Sequence, residues 1–385
     1  MTTPADQLAA VASPTPADAR AIDILHRLVS TPSLSGHERP AVELFTHLAA
    51  QLGLQSCIDD AGNALALRPA LGPERARIIL LGHIDTVPGH IPVRIDNNTL
   101  HARGSVDAKG PLAAMLIAAS QANPHPGVTL EVIAAVGEET AASPGARFLS
   151  TRRAPAACII GEPSGWEGVT LGYKGRLRLT LDITGPCGHS AGPDASACDI
   201  VTSWWQAVRR RLESLNADRS GAFDSITSCI LALASSDDGL HQSARLAAGF
   251  RLPTWIAPNA LEHELPALTP PAVPPAFTAS LHFEARELAH ASPRNDPVAR
   301  ALSHAIRQHA GTPRPKLKTG TSDMNVVAPL WRCPIAAYGP GDSRLDHTPD
   351  ERLDLAEYLA AIAVLRAALQ TLSAELAPPR HQPQA

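Results

Sequence analysis

The sequence predicts an α/β protein with a largely parallel sheet, interrupted by a second, α+β domain. Before Val169, predicted helices alternate with apolar stretches of strand length, which is typical of a parallel sheet covered on both faces. From Val169 onward, alternating polar and apolar residues instead indicate half-exposed antiparallel strands. The length, 385 residues, exceeds that of one ordinary hydrophobic core and favours two domains.

Composition and charge exclude several classes of protein. The formal net charge of −4 at pH 7 argues against general nucleic-acid binding. Six cysteines are spread along the chain without a Cys-x-x-Cys pair, which indicates a reducing compartment and no disulfide framework. Residues 1–20 lack the basic start and apolar core of a secretion signal, and no apolar run looks long enough to span a bilayer. We therefore expect a cytoplasmic protein with a frayed amino-terminal tail and no membrane partner.

The first elements follow from spacing and capping signals. Residues 21–29 have the apolar spacing of a helix, and Ser35 with Glu38 three residues later forms a capping-box pattern for a second helix that ends near Leu52. A strand pair is expected over 57–67. The apolar stretch 77–82 then predicts a buried strand that ends at His83 and Asp85, two positions whose side chains point the same way.

Polar residues recur where the next predicted strands end. The strand over 128–136 is followed by Glu138 and Glu139, and the strand over 158–160 is followed by Glu162. Asp107 precedes an apolar helix over 111–122, where it could cap the helix or bridge two cations. In an open α/β sheet the ligand site lies beyond the carboxyl ends of the strands, so we expect these side chains to share one site.

The second domain is predicted from a β-α-β-β-α-β order, which is the ferredoxin-like pattern. Its helix over 194–215 carries Trp204 and Trp205 as packing or interface residues. We place this domain at 174–288 and the first domain at 1–173 and 289–385. The returning chain is expected to form a helix over 293–310, a strand over 334–338 and a helix over 353–374, followed by a disordered tail.

The polar residues at the strand ends suit a pair of divalent cations such as zinc. Imidazole and carboxylate are common zinc ligands. One ion would use His83, Asp107 and Glu162, and the other would use Asp107, Glu139 and His347. Glu138 remains beside a ligand without being needed as one, which is the position of a general base. Asp85 could fix the tautomer and orientation of a histidine ligand.

Six motifs carry a resemblance to a known family. They are GHIDTVP (82–88), RGSVDAKG (103–110), GEET (137–140), GEPSG (161–165), GHSA (188–191) and LDHTP (345–349). In this order they resemble the dinuclear-zinc amidohydrolases and peptidases that include acetylornithine deacetylase, succinyl-diaminopimelate desuccinylase, aminoacylase and carboxypeptidase G. The resemblance implies a zinc-aminopeptidase-like catalytic domain, an inserted lid and dimerisation domain, and hydrolysis of a linear amide bond.

Three longer stretches resemble one branch of that family. They are 161–176, 318–325 (KTGTSDMN) and 338–351 (YGPGDSRLDHTPDE). That branch releases lysine or ornithine from the side chain of the terminal glutamate of an amino-group carrier protein, in lysine and arginine biosynthesis. The resemblance therefore implies the carrier protein as substrate.

The family also implies roles for further residues. Two zinc ions, or cobalt, activate a water whose proton passes to Glu138. His189 steadies the oxyanion from the lid domain of the partner subunit, which implies a homodimer formed through that domain. Arg251 holds a substrate carboxylate, and Lys174 and Asn325 line the pocket.

Two other functions compete with this one. A small-molecule deacylase of the acetylornithine or succinyl-diaminopimelate type, or a dipeptidase, would use the same metals and fold. A non-enzymatic binding protein on a decayed scaffold would have lost ligands, whereas this sequence keeps the whole set and the base.

Overall fold

In a computed structural model of the chain, residues 15–192, 194–268 and 275–377 are described. They form two compact units. Unit 1 comprises the chain up to Gly172, Ser292–Lys316 and the chain from Ser322; unit 2 comprises Tyr173–Ala291 and Leu317–Thr321. Unit 2 therefore differs from the predicted 174–288 by one residue at its start and three at its end. It also includes a short later segment that the sequence did not reveal.

The elements up to Tyr173 follow in chain order. They are α1 (Pro16–Ser30), α2 (Arg39–Gln51), β1 (Gln55–Ile58), β2 (Ala64–Arg68), β3 (Ala76–His83), β4 (Arg94–Asp96), β5 (Thr99–His101), α3 (Lys109–Gln121), β6 (Val128–Ala135), α4 (Pro144–Ser150), β7 (Ala157–Gly161) and β8 (Gly168–Tyr173). Helix α1 begins within the predicted tail, because Thr15 and Asp18 form a capping box at its start. Residues 1–14 and 378–385, where fraying and disorder were expected, lie outside the described residues.

The remaining elements complete both units. They are β9 (Gly175–Pro186), α5 (Ala197–Leu215), β10 (Thr227–Asp237), β11 (His241–Leu252), α6 (Pro258–Glu264), a 3₁₀ turn (Leu265–Leu268), β12 (Thr278–Glu287), β13 (His290–Ala291), α7 (Pro297–Gln308), β14 (Arg314–Lys318), α8 (Asp323–Trp331), β15 (Ile335–Ala337), β16 (Arg352–Asp354) and α9 (Leu355–Leu376).

The sheet of unit 1 is parallel where it carries the polar strand ends. Its order runs β1-β2-β6-β3-β7-β15-β8, with β3 parallel to both β6 and β7, and β15 parallel to β7. Strand β2 pairs antiparallel with β6, and β8 pairs antiparallel with β15. The predicted α/β class with a largely parallel sheet is therefore confirmed, with antiparallel strands towards its edges.

Helix α9 contradicts the expectation that no apolar stretch is long enough to cross a membrane. Its 22 residues pass that test by length and composition. The helix packs against α7 and α3, and its Tyr358, Leu365 and Leu369 belong to the hydrophobic core of unit 1. A core helix and a membrane helix can share this composition, and the packing identifies α9 as a core helix.

Unit 2 has the expected ferredoxin-like architecture. Its four-stranded antiparallel sheet has the order β10-β11-β9-β12, and α5 packs against β9 and β11. Trp204 is fully buried in the core of this unit, whereas Trp205 is partly buried with its ring 6.2 Å from that of Phe250. Both tryptophans thus pack against the core of unit 2, as residues on the apolar side of an amphipathic helix do.

Gly110 offers a test of how closely α3 approaches the preceding loop. A Cβ at this position would lie 2.2 Å from the carbonyl oxygen of Ser105. Alanine is intrinsically better than glycine in a helix by about 0.5–1 kcal/mol, but an overpacked core site costs about 1–3 kcal/mol or more. We expect Gly110→Ala to destabilise unit 1 in a urea titration. Gly320→Ala is the matched control, since a Cβ at Gly320 meets nothing within 4 Å; equal midpoints for both variants would contradict the packing argument.

Candidate metal centre

The polar residues predicted at the strand ends lie at one edge of the sheet. His83 is the last residue of β3, Glu138 and Glu139 follow β6, and Glu162 follows β7. Strand β3 lies between β6 and β7 and is parallel to both, so the carboxyl ends of the three strands meet at the same edge. Strand geometry alone therefore assembles four of the predicted side chains.

Two groups of possible metal ligands share one aspartate. His83, Asp107 and Glu162 form one group, and Asp107, Glu139 and His347 form the other, with the ligand atoms of each group within 4.8 Å of one another. These are the two ligand sets proposed from the sequence. A third group joins His83 and Glu139 to Glu138, so proximity alone does not separate Glu138 from the ligands.

The carboxylate of Asp107 lies between the two imidazoles. Its Oδ1 is 3.1 Å from Nε2 of His83, and its Oδ2 is 3.0 Å from Nε2 of His347. Nε2 of His347 is also 3.0 Å from Oε1 of Glu139. One oxygen facing each histidine is the arrangement through which a single carboxylate can serve two cations. The N-cap residue of α3 is Ala108, one residue after Asp107, and the two Asp107 oxygens face the histidines, so the bridging alternative is favoured.

The charges of the centre are strongly coupled. Hydrogen bonds to Asp107 and Asp85 outweigh burial and raise the pKa of His83 well above its usual value. The hydrogen bond to Asp107 raises the pKa of His347 to about 10, while the two histidines, outweighing burial, lower the pKa of Asp107. Because an imidazole binds a metal only after losing its proton, metal binding at this centre has to release protons.

Asp85 holds the glutamate loop in place. Its side chain is fully buried, and Oδ1 accepts a hydrogen bond from the backbone N–H of Glu138 at 3.0 Å. Its Oδ2 accepts from the N–H of Glu139 at 3.1 Å and from the hydroxyl of Ser35 at 2.7 Å. The imidazole Nδ1 of His83 lies 3.0 Å from the Asp85 carbonyl oxygen, closer than the 3.4 Å to its carboxylate.

Ser35 has a different role from the one predicted. Helix α2 begins at Arg39, and its N-cap residue Glu38 makes no side-chain cap hydrogen bond; instead, a Glu38 oxygen accepts from the N–H of Gly36 at 2.9 Å. The capping-box interpretation is therefore wrong. The Ser35 hydroxyl reaches Asp85 across 50 residues of sequence, a contact that no local pattern signals.

Glu138 lies in an environment that disfavours its negative charge. Burial raises its pKa well above the usual value of a glutamate, with additional contributions from neighbouring carboxylates. This environment agrees with the role of general base given to Glu138 by the sequence.

Glu351 is a residue of the centre that sequence reasoning missed. Its side chain is 1% exposed, and Oε1 accepts hydrogen bonds from the backbone N–H groups of Val106 at 2.9 Å and Asp107 at 3.1 Å. Its Oε2 binds the guanidinium of Arg103 at 2.7 Å. Glu351 thus joins the segment that carries His347 to the loop that carries Asp107. Its position four residues after His347 in the YGPGDSRLDHTPDE stretch was the available signal.

The residues proposed to bind substrate have other contacts as well. Lys174 is fully buried, and its Nζ donates to the carbonyl oxygens of Ala222 and Ser225, which holds that loop of unit 2. Asn325 is buried and accepts from the N–H of Ser322 at 2.9 Å, which caps α8. Arg251 donates to the Thr321 hydroxyl at 3.0 Å. These hydrogen bonds give each of the three residues a structural role, and the roles of the three residues in substrate binding stay predictions.

His189 lines a cavity of about 840 Å³ in unit 2 and is itself exposed. Its Nδ1 accepts a hydrogen bond from the backbone N–H of Ala191 at 3.1 Å. A neutral imidazole whose Nδ1 accepts carries its proton on Nε2. His189 is thereby arranged as a hydrogen-bond donor, which is what stabilising an oxyanion requires.

Comparisons with known proteins identify the family of the chain. The profile of the family described as Peptidase family M20/M25/M40 matches residues 79–371. A [LysW]-lysine hydrolase from Deinococcus radiodurans is 44% identical over 94% of this chain and 99% of its own. A [LysW]-lysine/[LysW]-ornithine hydrolase from Saccharolobus islandicus is 27% identical over 92% and 96%. The fold is similar to that of a dinuclear metal binding peptidase from Bacillus subtilis, with a TM-score of 0.68, 14% identity, and coverage of 92% and 98%.

The parallel sheet, the inserted ferredoxin-like unit and the paired ligand groups define a hydrolase of the metallopeptidase class. The chain belongs to peptidase family M20/M25/M40. The resemblance stated from the six motifs is therefore confirmed.

Glu351→Gln tests the link between the two parts of the centre. The glutamine keeps the size of the side chain but loses the charge that binds Arg103, so the Asp107 loop is less firmly held. Loss of a residue that orients ligands typically costs about 10–100-fold in metal affinity. We expect a weakening in this range, measured by competition with a chromophoric zinc chelator. Asp350→Asn, at an exposed neighbouring position, is the control, and unchanged affinity in Glu351→Gln would exclude the positioning role.

Proposed function

We propose that this chain releases free lysine from the C-terminal glutamate side chain of an amino-group carrier protein by hydrolysing the amide bond between them. The observation that carries this proposal is the 44% identity to the Deinococcus radiodurans [LysW]-lysine hydrolase along almost the whole of both chains. The relative from Saccharolobus islandicus is named for both lysine and ornithine, so carrier-linked ornithine is the second substrate to test. Release of lysine would serve lysine biosynthesis, and release of ornithine would serve arginine biosynthesis.

The ligand groups are suited to two zinc ions, with cobalt as the other candidate. His83, Asp107 and Glu162 would hold one ion, and Asp107, Glu139 and His347 the other. Nitrogen and carboxylate oxygen donors within a few ångströms are the ligands that zinc uses in hydrolases. When bound there, the ions supply Lewis acidity that activates a water and polarises the amide carbonyl.

The chain's own groups move the protons. Glu138 takes the proton of the attacking water and delivers it to the leaving α-amine of lysine, which its raised pKa permits. Asp85 fixes the backbone of Glu138 and Glu139, so the base and its neighbouring ligand keep a constant separation. His189 would donate from Nε2 to the oxyanion.

Homodimer formation through unit 2 is part of this proposal. Strand β10 is one of the two outer strands of its sheet, and Ile230, Leu231 and Leu233 on it are 42%, 51% and 56% exposed. A long, exposed, apolar edge strand in a monomer tends to pair with other chains and aggregate. Pairing with the same strand of a second copy would cover this edge. A dimer joined in this way would allow His189 to serve the partner's centre. The six free cysteines support the proposed cytoplasmic location.

Substrate comparison tests the function. We expect the metal-loaded enzyme to release lysine from a carrier domain whose terminal glutamate side chain bears it, at a kcat/KM far above that for acetylornithine or succinyl-diaminopimelate. Free lysine is measured by chromatography, with chelator-treated enzyme as control. A higher kcat/KM on either small acyl substrate would favour a small-molecule deacylase and reject the hydrolysis of carrier-linked lysine.

Substitutions of the two adjacent glutamates should show which one is the general base and which one is a metal ligand. Glu138→Gln is isosteric but cannot take a proton, so we expect kcat to fall by about 10²–10⁴ or more while two metals per chain remain bound. Glu139→Gln should instead lower the metal content. Metal analysis by mass spectrometry checks both, and the reverse pattern would exchange the two assignments.

Subunit mixing tests whether His189 acts across the dimer. His189→Ala and Glu138→Gln subunits should each be nearly inactive alone, since an oxyanion donor contributes about 3–4 kcal/mol to the transition state. After exchange, one of the two sites in each mixed dimer combines an intact Glu138 with the partner's intact His189 and should regain activity. Exchange is followed with two affinity tags. Mixed dimers without activity would show that His189 acts within its own chain or is dispensable for catalysis.

A further inference from the structure

An arginine-lined cavity lies at the edge of the sheet opposite the metal centre. Its volume is about 530 Å³, and it is bounded by the segments that lead into β3 and β7. Strand β3 runs from Ala76, beside this cavity, to His83 in the metal centre. At about 3.3 Å per residue the two ends are roughly 23 Å apart, so one small ligand cannot occupy both.

Two carboxylates bind arginines of this cavity, the lining residue Glu74 and the buried Glu131 behind it, and the oxygens of both are occupied. Glu131 is fully buried and binds Arg77 at 2.6 Å through one oxygen and Arg152 at 2.8 Å through the other. Glu74 accepts two hydrogen bonds from Arg77, at 2.8 and 3.1 Å, and a third from the hydroxyl of Thr129 at 2.6 Å. The local acceptors are therefore saturated by these partners.

Hydrogen-bond donors remain in surplus. Nη1 of Arg152 makes no hydrogen bond and has almost no solvent contact, although the side chain as a whole is 31% exposed and lines the cavity. Arg75 and Arg153 also line it and are exposed. Four arginines against two glutamates give a net charge of +2 around this space. An unpaired buried donor costs free energy, and the excess of donors and positive charge around this space favours an anion as the partner.

We infer that this cavity binds a small polyanion, a metabolite that bears phosphate or carboxylate groups, at a site separate from the metal centre. Guanidinium groups match both kinds of oxyanion through paired N–H donors, and a volume of about 530 Å³ is larger than one phosphate needs. Binding to the folded chain alone stabilises it by linkage, so the ligand would raise the melting temperature. This inference does not depend on the proposed carrier-linked substrate.

Isothermal titration with inorganic phosphate and with succinate tests the inference and separates the two sources of the oxyanion. The metal-loaded full chain is used, and sodium chloride holds the ionic strength constant so that general screening does not change. We expect saturable binding of at least one probe, accompanied by a higher melting temperature. An anion bound at the metal centre is distinguished by variants of the arginine cavity, which leave that centre unchanged.

Arg152→Lys is the sharpest variant. Lysine keeps a cation beside Glu131 but lacks the second guanidinium nitrogen, so the fold should be retained while affinity falls by about tenfold. Arg75→Gln combined with Arg153→Gln is the second variant, because it removes two charges without breaking a hydrogen bond described for either side chain. We expect a loss of at least about tenfold from this pair as well.

Arg94→Gln is the matched control, since Arg94 is an equally exposed arginine on β4, outside the cavity lining. Equal affinities in the parent chain, Arg152→Lys and the double variant would overturn the inference, as would a loss of the same size in Arg94→Gln. Either result would mean that the anion binds elsewhere or through general charge attraction, and not in this cavity.

Discussion

The buried carboxylate of Asp85 joins the ends of two parallel strands, and the metal centre depends on that link. It accepts the backbone N–H groups of Glu138 and Glu139 and thereby ties the loop after β6 to the end of β3. Burying a carboxylate is costly unless its oxygens are hydrogen-bonded, so replacing this one would leave two backbone donors and the Ser35 hydroxyl unpaired. The positions of a proposed base and a proposed ligand are therefore set by one buried side chain.

A second buried carboxylate performs the same task for the bridging residue. Glu351 accepts the N–H groups of Val106 and Asp107, while His347 stands four residues before it. The ligands come from segments about 240 residues apart in sequence, from Asp107 to His347. Glu351 belongs to the segment that carries His347 and accepts hydrogen bonds from the segment that carries Asp107. It therefore fixes the distance between these two segments. The proposed ligands would contact the cations, and these two carboxylates hold the segments that carry the proposed ligands.

Sequence reasoning grouped the candidate ligands because they lie at the ends of strands and helices that sequence patterns alone reveal. Continuous apolar stretches identify parallel strands, and parallel neighbours must end at one edge, so His83, Glu139 and Glu162 could be grouped before any coordinates were considered. The same reasoning failed for Ser35 and Glu351. Their partners lie 50 and about 245 residues away, and a short polar side chain near a helix start looks like a cap whether or not it is one.

The sequence by itself determined the α/β class, the inserted ferredoxin-like domain, the candidate ligand set and the family, because periodicity and motif order are local properties of the chain. Only the tertiary structure decided which carboxylates hold other residues in place and which face the candidate metal centre. It also decided that Lys174 supports a loop and that α9 is a core helix despite its apolar composition. Those outcomes depend on hydrogen bonds and packing between segments distant in sequence, whose competing partners are chosen only when the whole chain is folded.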